Sequence, residues 1–279
     1  MRKRILINSA KMIFLPVLAV VLTAGTALRT QAQRYHNDDE MDSGYYKICT
    51  ANHLDESCWV REGSLMFYTE DEFSSRVGVD VSKWNAELDF QALRDQGVEF
   101  AIIRVGFRGY KTGEIEEDYR FCEYMDEAGA AGLDLGVYFF SQAIDEDEAV
   151  EEAQFVIDHI AGYTLSLPVY FDTEDVKEDE ARTEVLAEAN YNLNARAFCD
   201  TIESAGYRAG VYASSEWIRK NLDLAQLADY EIWYASYSNT PGRETGFDMW
   251  QYSASGDLEG SETYLDMNIR VEKEFQSVD

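Results

Sequence analysis

Apolar runs alternate with amphipathic helical patterns along most of this sequence, and such alternation is typical of the α/β class. The runs are rich in β-branched and aromatic residues, and several are apolar almost throughout, as strands buried on both faces of a parallel sheet should be. We predict eight strands: Val77–Val81, Phe100–Val105, Leu133–Phe140, Leu167–Asp172, Ala209–Ala213, Glu231–Ala235, Phe247–Tyr252 and Tyr264–Met267.

Amphipathic stretches separate the first five of these strands. In residues 145–160, for example, apolar side chains fall on one helical face and acidic residues crowd the first turn, where the helix dipole stabilises them. The last three strands are joined by weaker helical patterns. The sequence therefore predicts an irregular TIM-like barrel of five β/α units followed by three strands, (β/α)5β3. An open doubly wound sheet is the competing layout, but no glycine-rich dinucleotide fingerprint follows the first strand.

The first 75 residues do not share this alternation. A basic segment without acids precedes the apolar run Met12–Leu28, which is the pattern of an export signal, with cleavage expected after Ala32. The run is slightly shorter than the roughly 20 residues of a membrane span, so we predict a signal peptide over residues 1–32, with a retained membrane anchor as the alternative. Residues 33–75 are polar and acidic, and we expect a linker or short adaptor there, followed by one domain over 76–279.

The charge and the cysteine content limit which partners the protein can bind and which cellular environment suits it. The chain has 53 acidic and 24 basic side chains and a formal net charge of −29, so it offers no basic surface to neutralise the phosphates of a nucleic acid. We expect a monomer that is secreted or anchored on the outer face of the cytoplasmic membrane or in the cell wall. In that environment Cys49 and Cys58 are near enough in sequence to close a small disulfide loop.

Histidine and cysteine are too few to support several kinds of catalytic site. The chain has only three histidines, His36, His53 and His159, and two of them precede the predicted domain. A Ser-His-Asp or Cys-His site and a multi-histidine metal site are therefore not supported, and no C-x-x-C pair suggests zinc. We expect neither a cofactor nor a metal ion.

Carboxylates occupy the predicted strand ends instead. Asp80 lies near the end of the first strand, Asp172 ends the fourth, Glu174 follows it by two residues, and Asp266 ends the last. The carboxyl ends of barrel strands converge on one mouth, where active sites lie. Residues two apart on an extended segment face the same side, so Asp172 and Glu174 should both face that mouth.

Two carboxylates that flank one bond suit glycoside hydrolysis, in which an acid protonates the leaving oxygen and a second carboxylate stabilises the sugar cation or acts on its far side. Aromatic residues on or near the predicted strand ends would stack on sugar rings: Tyr138, Phe140, Tyr212, Trp233, Trp250 and Tyr252. Each feature has a simpler explanation as well. The acids would be part of a solvated surface, and any one aromatic side chain would be part of the core.

Taken in order, these segments resemble glycoside hydrolase family 25, the Chalaropsis-type lysozymes or N-acetylmuramidases. The resemblance covers roughly Val77 to Phe275, and its pieces are GVDVSKWNAELDF, FAIIRVGFRGYKTGEIEEDYRF, LGVYFFSQA, LPVYFDTE, GYRAGVYAS, IWYASY, MWQYSASGDLEG and LDMN. It implies a (β/α)5β3 barrel that hydrolyses the β-1,4 bond between N-acetylmuramic acid and N-acetylglucosamine in the glycan strands of peptidoglycan.

The resemblance also assigns residues. It implies that Glu174 is the proton donor, that Asp172 is the second catalytic carboxylate, and that Asp80 and Asp266 line the same pocket. It adds pocket residues at Tyr110, Tyr138, Phe140, Trp250 and Gln251. Two alternatives stay open: a barrel that binds the cell wall with little or no catalysis, and a different barrel glycosidase of the chitinase kind.

Overall fold

A computed structural model describes residues 52–176, 181–183, 186–243 and 245–273 of the protein. Its strands are β1 (Trp59–Glu62), β2 (Leu65–Tyr68), β3 (Phe73–Val81), β4 (Val98–Arg108), β5 (Ile115–Glu117), β6 (Asp134–Phe140), β7 (Val169–Asp172), β8 (Ala209–Ser214), β9 (Glu231–Ala235), β10 (Met249–Gly256) and β11 (Leu265–Lys273). Its helices are α1 (Phe90–Asp95), α2 (Phe121–Ala130), α3 (Glu146–Ile160), α4 (Glu188–Ser204) and α5 (Ser215–Asn221).

Eight of these strands close into a barrel in the order β3, β4, β6, β7, β8, β9, β10 and β11, and β11 pairs again with β3. Neighbouring strands run parallel from β3 to β10, whereas β11 is antiparallel to both β10 and β3. One helix follows each of the first five barrel strands, and none lies between β9 and β11 in the described part of the chain. The predicted (β/α)5β3 barrel is confirmed.

The direction of β11 differs from the expectation. The sequence suggested a strand that ends near Asp266, but β11 begins at Leu265 and continues to Lys273. Because β11 is antiparallel to the other barrel strands, its amino-terminal end lies beside their carboxyl ends. Asp266 therefore reaches the mouth of the barrel from the start of its strand.

Side-chain alternation along the strands divides the apolar core into two layers. In the inner layer, the rings of Tyr138, Tyr170 and Tyr212 all contact the ring of Trp233, with centroids 5.9, 5.1 and 4.6 Å apart. Gly210 leaves room for one of these rings, because an added Cβ at that position would lie only 2.5 Å from the ring of Tyr170. The outer layer packs the alternate residues of the same strands against the helices.

A hairpin formed by β1 and β2 lies within the segment that we expected to be a linker. The two strands pair antiparallel around a two-residue turn, in which Gly63 adopts a φ of 61°. Trp59 packs its ring edge-on against Trp250 of β10, with centroids 5.1 Å apart, and the hydroxyl of Tyr252 donates to the Ser64 carbonyl. The hairpin thus packs against the outer face of β10, and no helix lies between β9 and β11 in the described part of the chain.

Several predictions fall on residues outside this description. They are the signal or anchor over residues 1–32, the first part of the segment 33–75, and the pairing of Cys58 with Cys49. Among the residues that the structure describes, no helix has the length and apolar character that a membrane crossing requires.

Candidate active site

Four carboxyl groups meet at the mouth of the barrel. Asp80 on β3 and Asp266 on β11 are register partners, Asp172 is the last residue of β7, and Glu174 follows it by two residues. The charge of Asp172 interacts with those of Glu174 and Asp80, and the charge of Asp266 interacts with those of Asp80 and Glu174. The structure therefore brings together all four acids that the sequence placed at strand ends.

The residues after β7 alternate between the mouth and the outside of the barrel. Asp172 is buried and Glu174 is half-buried on the mouth side. Between them, Thr173 turns outward, where its hydroxyl accepts a hydrogen bond from Trp217 Nε1 at 3.3 Å. Asp175 is exposed to solvent. This arrangement separates two site carboxyls from a surface carboxyl within four consecutive residues.

Two amide side chains hold Asp80 in place. Gln251 Nε2 and Asn268 Nδ2 both donate to Oδ2 of Asp80, each at 2.7 Å. Asn268 is fixed in turn because its Oδ1 accepts from Trp233 Nε1 at 2.8 Å. With its donors set by neighbouring strands, the carboxyl of Asp80 has one defined orientation in the barrel.

Two tyrosines complete this network from the far side of Gln251. The Oε1 atom of Gln251 accepts hydrogen bonds from Tyr212 at 3.1 Å and from Tyr237 at 3.0 Å. Because both donors reach the carbonyl oxygen of the side chain, the amide nitrogen must point toward Asp80. A chain of hydrogen bonds thus runs from the β9–β10 connection to the acid on β3.

Burial raises the pKa of Asp172 well above its usual range, and the charges of Glu174 and Asp80 raise it further, whereas Arg104 lowers it. Its Oδ1 atom is buried and has no hydrogen-bond partner among the described residues. A buried carboxyl oxygen without a donor is costly when ionised. This carboxyl therefore favours the protonated form in the free protein.

The other two aspartates show the same tendency. Burial raises the pKa of Asp266 to about 8, assisted by the charges of Asp80 and Glu174. Burial also raises the pKa of Asp80, to about 6, although the hydrogen bonds from Asn268 and Gln251 act in the opposite direction. The raised pKa values of these three aspartates share one main cause, which is burial at the barrel mouth.

The predicted aromatic residues occupy different levels of the barrel. Tyr138, Tyr212 and Trp233 are almost fully buried and belong to the inner layer of the core. Phe140, at the end of β6, is the register partner of Asp172 and is half-buried at the mouth. Tyr110 lies in the connection after β4, where its carbonyl accepts from the backbone of Arg182 at 2.9 Å.

Trp250 is placed away from the acids, which corrects the expectation that it lines the pocket. Its neighbour Gln251 points into the barrel, so strand alternation turns Trp250 to the outer face. There its ring is fully buried against Trp59, and its Nε1 donates to the Ser236 carbonyl at 2.9 Å. We therefore assign Trp250 to the core.

Three site residues were missed by sequence reasoning. Asn268 lies two residues after Asp266, so strand alternation alone would have placed it on the same face. Arg104 points inward from β4, where it forms an ion pair with the fully buried Asp118 at 2.7 Å; alternation from Phe100 would have indicated it. Tyr237 lies in an irregular connection, and no sequence pattern predicts that it reaches the site.

Comparison with known proteins identifies the family. The sequence profile of the glycosyl hydrolases family 25 matches residues 79–261, well over half of the chain. The protein therefore belongs to glycosyl hydrolase family 25, and the resemblance found in the sequence is confirmed.

Individual proteins are similar to this chain in sequence, and solved structures are similar to it in fold. The chain is 26% identical over 192 residues to the autolytic lysozyme of Clostridium acetobutylicum, a match that covers 68% of this chain and 54% of that protein. Among solved structures, the modular autolysin of Streptococcus pneumoniae has the same fold, with a TM-score of 0.64 and 22% identity over 76% of this chain and 51% of that one. A family 25 glycosyl hydrolase from Bacillus anthracis matches with a TM-score of 0.60 and 22% identity, over 73% of this chain and 92% of that one.

The matches with the Clostridium and Streptococcus proteins thus span about half of each relative's length.

Proposed function

We propose that this protein is a peptidoglycan hydrolase that cleaves the β-1,4 bond between N-acetylmuramic acid and N-acetylglucosamine. The convergence of Asp80, Asp172, Glu174 and Asp266 at one barrel mouth carries this proposal. Membership of family 25 supports it, as does the description of similar proteins as lysozymes and autolysins.

In the proposed reaction, Glu174 donates a proton to the leaving oxygen, and Asp172 is the second carboxylate. Glu174 is the more exposed of the two, which suits a group that must reach the glycosidic oxygen of a bound strand. Asp172 lies deeper and offers a carboxyl oxygen that no described donor occupies. The charges of Asp172 and Glu174 interact, so the two carboxyls are near enough for one to donate a proton while the other faces the sugar.

The same proposal includes the place of action. A hydrolase of peptidoglycan must meet its substrate outside the cytoplasm, and the basic and apolar pattern of residues 1–32 is that of an export signal or anchor. We propose that the protein acts as a monomer at the cell wall, either secreted or tethered to the membrane through Met12–Leu28.

Substitution of the two carboxyl residues tests the chemistry. We expect Glu174→Gln and Asp172→Asn each to lower the release of reducing ends from purified peptidoglycan by at least about 100-fold. The circular dichroism spectrum of each variant should match that of the wild type. Asp175→Asn is the matched control, because Asp175 is exposed one residue away, and it should retain activity within about twofold.

The same assay separates the alternatives. A wild-type protein that sediments with peptidoglycan but releases no reducing ends would be a wall-binding barrel, and the proposal would be wrong. Preferential cleavage of chitin oligomers over muropeptides would instead indicate a chitinase-like enzyme. Full activity of Glu174→Gln would contradict the assigned role of that residue.

A further inference from the structure

A carboxyl group that the proposed reaction does not use is buried outside the group of four acids. Glu152 lies on α3, and it is 0% exposed. Its Oε1 atom accepts hydrogen bonds from Arg108 Nε at 2.8 Å and from the backbone N–H of Gln142 at 3.4 Å. A carboxyl group is rarely buried unless it is paired, so these two donors are what hold Glu152 inside the fold.

Arg108, the last residue of β4, links Glu152 to one of the connections at the barrel mouth. Its Nη1 atom donates to the Gly113 carbonyl at 2.7 Å, in the connection between β4 and β5. Its Nη2 atom donates to the Glu148 carbonyl at 3.1 Å and to Glu151 Oε2 at 2.7 Å. One guanidinium group therefore joins Glu152 to the β4–β5 connection and to the first half of α3.

Gln142 links Glu152 to two further connections. It lies in the β6–α3 connection, directly after Ser141, whose N–H donates to the Asp172 carbonyl at 2.9 Å. The backbone carbonyl of Gln142 accepts from Arg182 at 3.1 Å, and its Oε1 atom accepts from the Thr183 hydroxyl at 3.0 Å. The last two residues lie in the β7–α4 connection, which also carries the proposed proton donor.

The β4–β5 and β7–α4 connections also contact each other directly. The N–H of Arg182 donates to the Tyr110 carbonyl at 2.9 Å, and an added Cβ at Gly113 would lie only 2.9 Å from Arg182 Cζ. The pair formed by Arg108 and Glu152 is thus the buried centre of a set of contacts that joins three connections of the mouth.

We propose that Glu152 is a positioning residue for the proposed hydrolysis, because its ionised carboxylate holds together the β4–β5, β6–α3 and β7–α4 connections. A charge-assisted hydrogen bond is roughly twice as strong as a neutral one, so protonation of Glu152 weakens its contact with Arg108 and loosens these connections. This inference rests on the proposed function and deepens it, because it assigns control of the site by pH to a group outside the four acids.

The surroundings of Glu152 set the pH at which this change occurs. Burial raises its pKa to about 7, whereas Ser141, Arg108 and the N–H of Gln142 act in the opposite direction. Since the pKa is raised, the carboxylate form is lost as pH falls through about 7. The charged groups packed around it come from three elements: Arg108 on β4, Glu148 and Glu151 on α3, and Arg182 in the β7–α4 connection.

The pH dependence of a variant that cannot ionise tests this role. Glu152→Gln keeps the size of the side chain and an acceptor for Arg108. On soluble glycan strands, we expect its kcat to equal that of the wild type within about twofold at pH 5.5 and to be about tenfold lower at pH 8.5, with KM within about twofold. The change should be centred near pH 7.

The ratio of the two kcat values separates positioning from a merely structural role. Both proteins contain the four acids of the site, so the titration of those acids largely cancels in the ratio. A structural role would lower kcat of the folded variant by the same factor at every pH. A ratio that stays constant from pH 5.5 to pH 8.5 would therefore overturn the proposal.

Glu151→Gln is the matched control. The Glu151 carboxylate contacts the same guanidinium group at 2.7 Å, but its side chain is 65% exposed. Its kcat should stay within about twofold of the wild type at both pH values, because an exposed ion pair contributes little. A pH-dependent loss as large as that of Glu152→Gln would show that any charge beside Arg108 has this effect, and the specific role of Glu152 would be wrong.

Hydrogen exchange of the wild-type protein tests the contacts without an activity measurement. After correction for the intrinsic exchange rate, protection of the Gln142 and Arg182 amides should rise at least about threefold between pH 6 and pH 8. Glu152→Gln should show no such rise. Unchanged protection in the wild type would overturn the inference, even if Glu152→Gln does not fold.

The two proposals fail in different ways. If the wild-type protein releases no reducing ends from any glycan, the proposed hydrolase function fails, and hydrogen exchange still tests whether Glu152 holds the connections. If the protein cleaves glycan but the kcat ratio does not change with pH, only the role of Glu152 is overturned.

Discussion

Asp80 and Asp266 face each other across the antiparallel pair of β3 and β11, although 186 positions separate them in the sequence as numbered (266 − 80). Burial raises the pKa of Asp80 to about 6 and that of Asp266 to about 8, so each carboxyl holds its proton well above the pH at which it would lose it in water. Because an antiparallel strand closes the barrel, Asp80 and Asp266 lie side by side, and both have raised pKa values.

This pair should make stability depend on pH. The pKa of Asp266 is raised on folding, so its contribution to stability is fully present below the unfolded pKa near 4 and is lost as pH rises through about 8. The free energy of unfolding of the wild type should therefore decrease from pH 5 to pH 8. Asp266→Asn lacks this ionisation, so its curve, measured by urea denaturation, should be flatter.

Asp229→Asn controls for the general loss of negative charge. Asp229 is exposed and precedes β9, at the other end of the barrel. Its curve should keep the slope of the wild type. Equal slopes for the wild type and Asp266→Asn would contradict the assigned proton on Asp266.

Adjacent residues on β10 should separate activity from stability. Gln251→Ala removes a donor to Asp80 and an acceptor for Tyr212 and Tyr237, so kcat should fall at least about tenfold, with a loss of about 1–3 kcal/mol in stability. Trp250→Phe alters outer packing and removes the hydrogen bond to the Ser236 carbonyl, so it should lower stability by a similar amount, with kcat within about twofold of the wild type. A large loss of kcat in Trp250→Phe would contradict the assignment of Trp250 to the core.

An ion pair should position the connection that carries Glu174. Arg182, in the same connection, binds Glu148 on α3 through two hydrogen bonds of 2.6 and 2.7 Å, and it also donates to the Gln142 carbonyl at 3.1 Å. We expect Arg182→Gln and Glu148→Gln each to lower kcat/KM about tenfold. The double variant should lose little more than either single variant, since each change breaks the same contact.

Arg182→Lys keeps the charge but not the two-pronged geometry, and it should recover only part of the activity. Additive losses in the double variant would show that the two residues act separately.

Two glycines should respond in opposite directions to the same change. Gly210→Ala places a methyl group 2.5 Å from the buried ring of Tyr170, so it should lower the free energy of unfolding by about 1–3 kcal/mol. Gly129→Ala lies on helix α2, where the nearest atom, on Leu135, is at an ordinary 3.6 Å, and it should raise stability by roughly 0.5–1 kcal/mol. Thermal denaturation of both variants measures the difference.

Much of the barrel could be predicted because its strands have a strong periodicity. The continuous apolar runs located all eight barrel strands, and the alternation in residues 172–175 separated Asp172 and Glu174 from Asp175. Both signals are local, since a side chain's face follows from its spacing along a strand.

The remaining errors concern relationships that are not local. The direction of β11 depends on how the sheet closes, and no residue within Tyr264–Met267 encodes it. Trp250 and Gln251 are both compatible with an inward position, and only the partners on β3 and β11 select Gln251. The hairpin strands are four residues each, too short to show a period.

The closing role of β11 has a practical consequence for anyone who trims this protein. The family match begins inside β3 and stops at residue 261, before Leu265. A fragment cut to those limits would lack β11, so its barrel could not close. The edges of β10 and of the shortened β3 would be left unpaired, and unpaired strand edges favour aggregation. It would also lack Asp266 and Asn268. A lack of activity in such a fragment would therefore reflect its incomplete fold and would not test the catalytic residues.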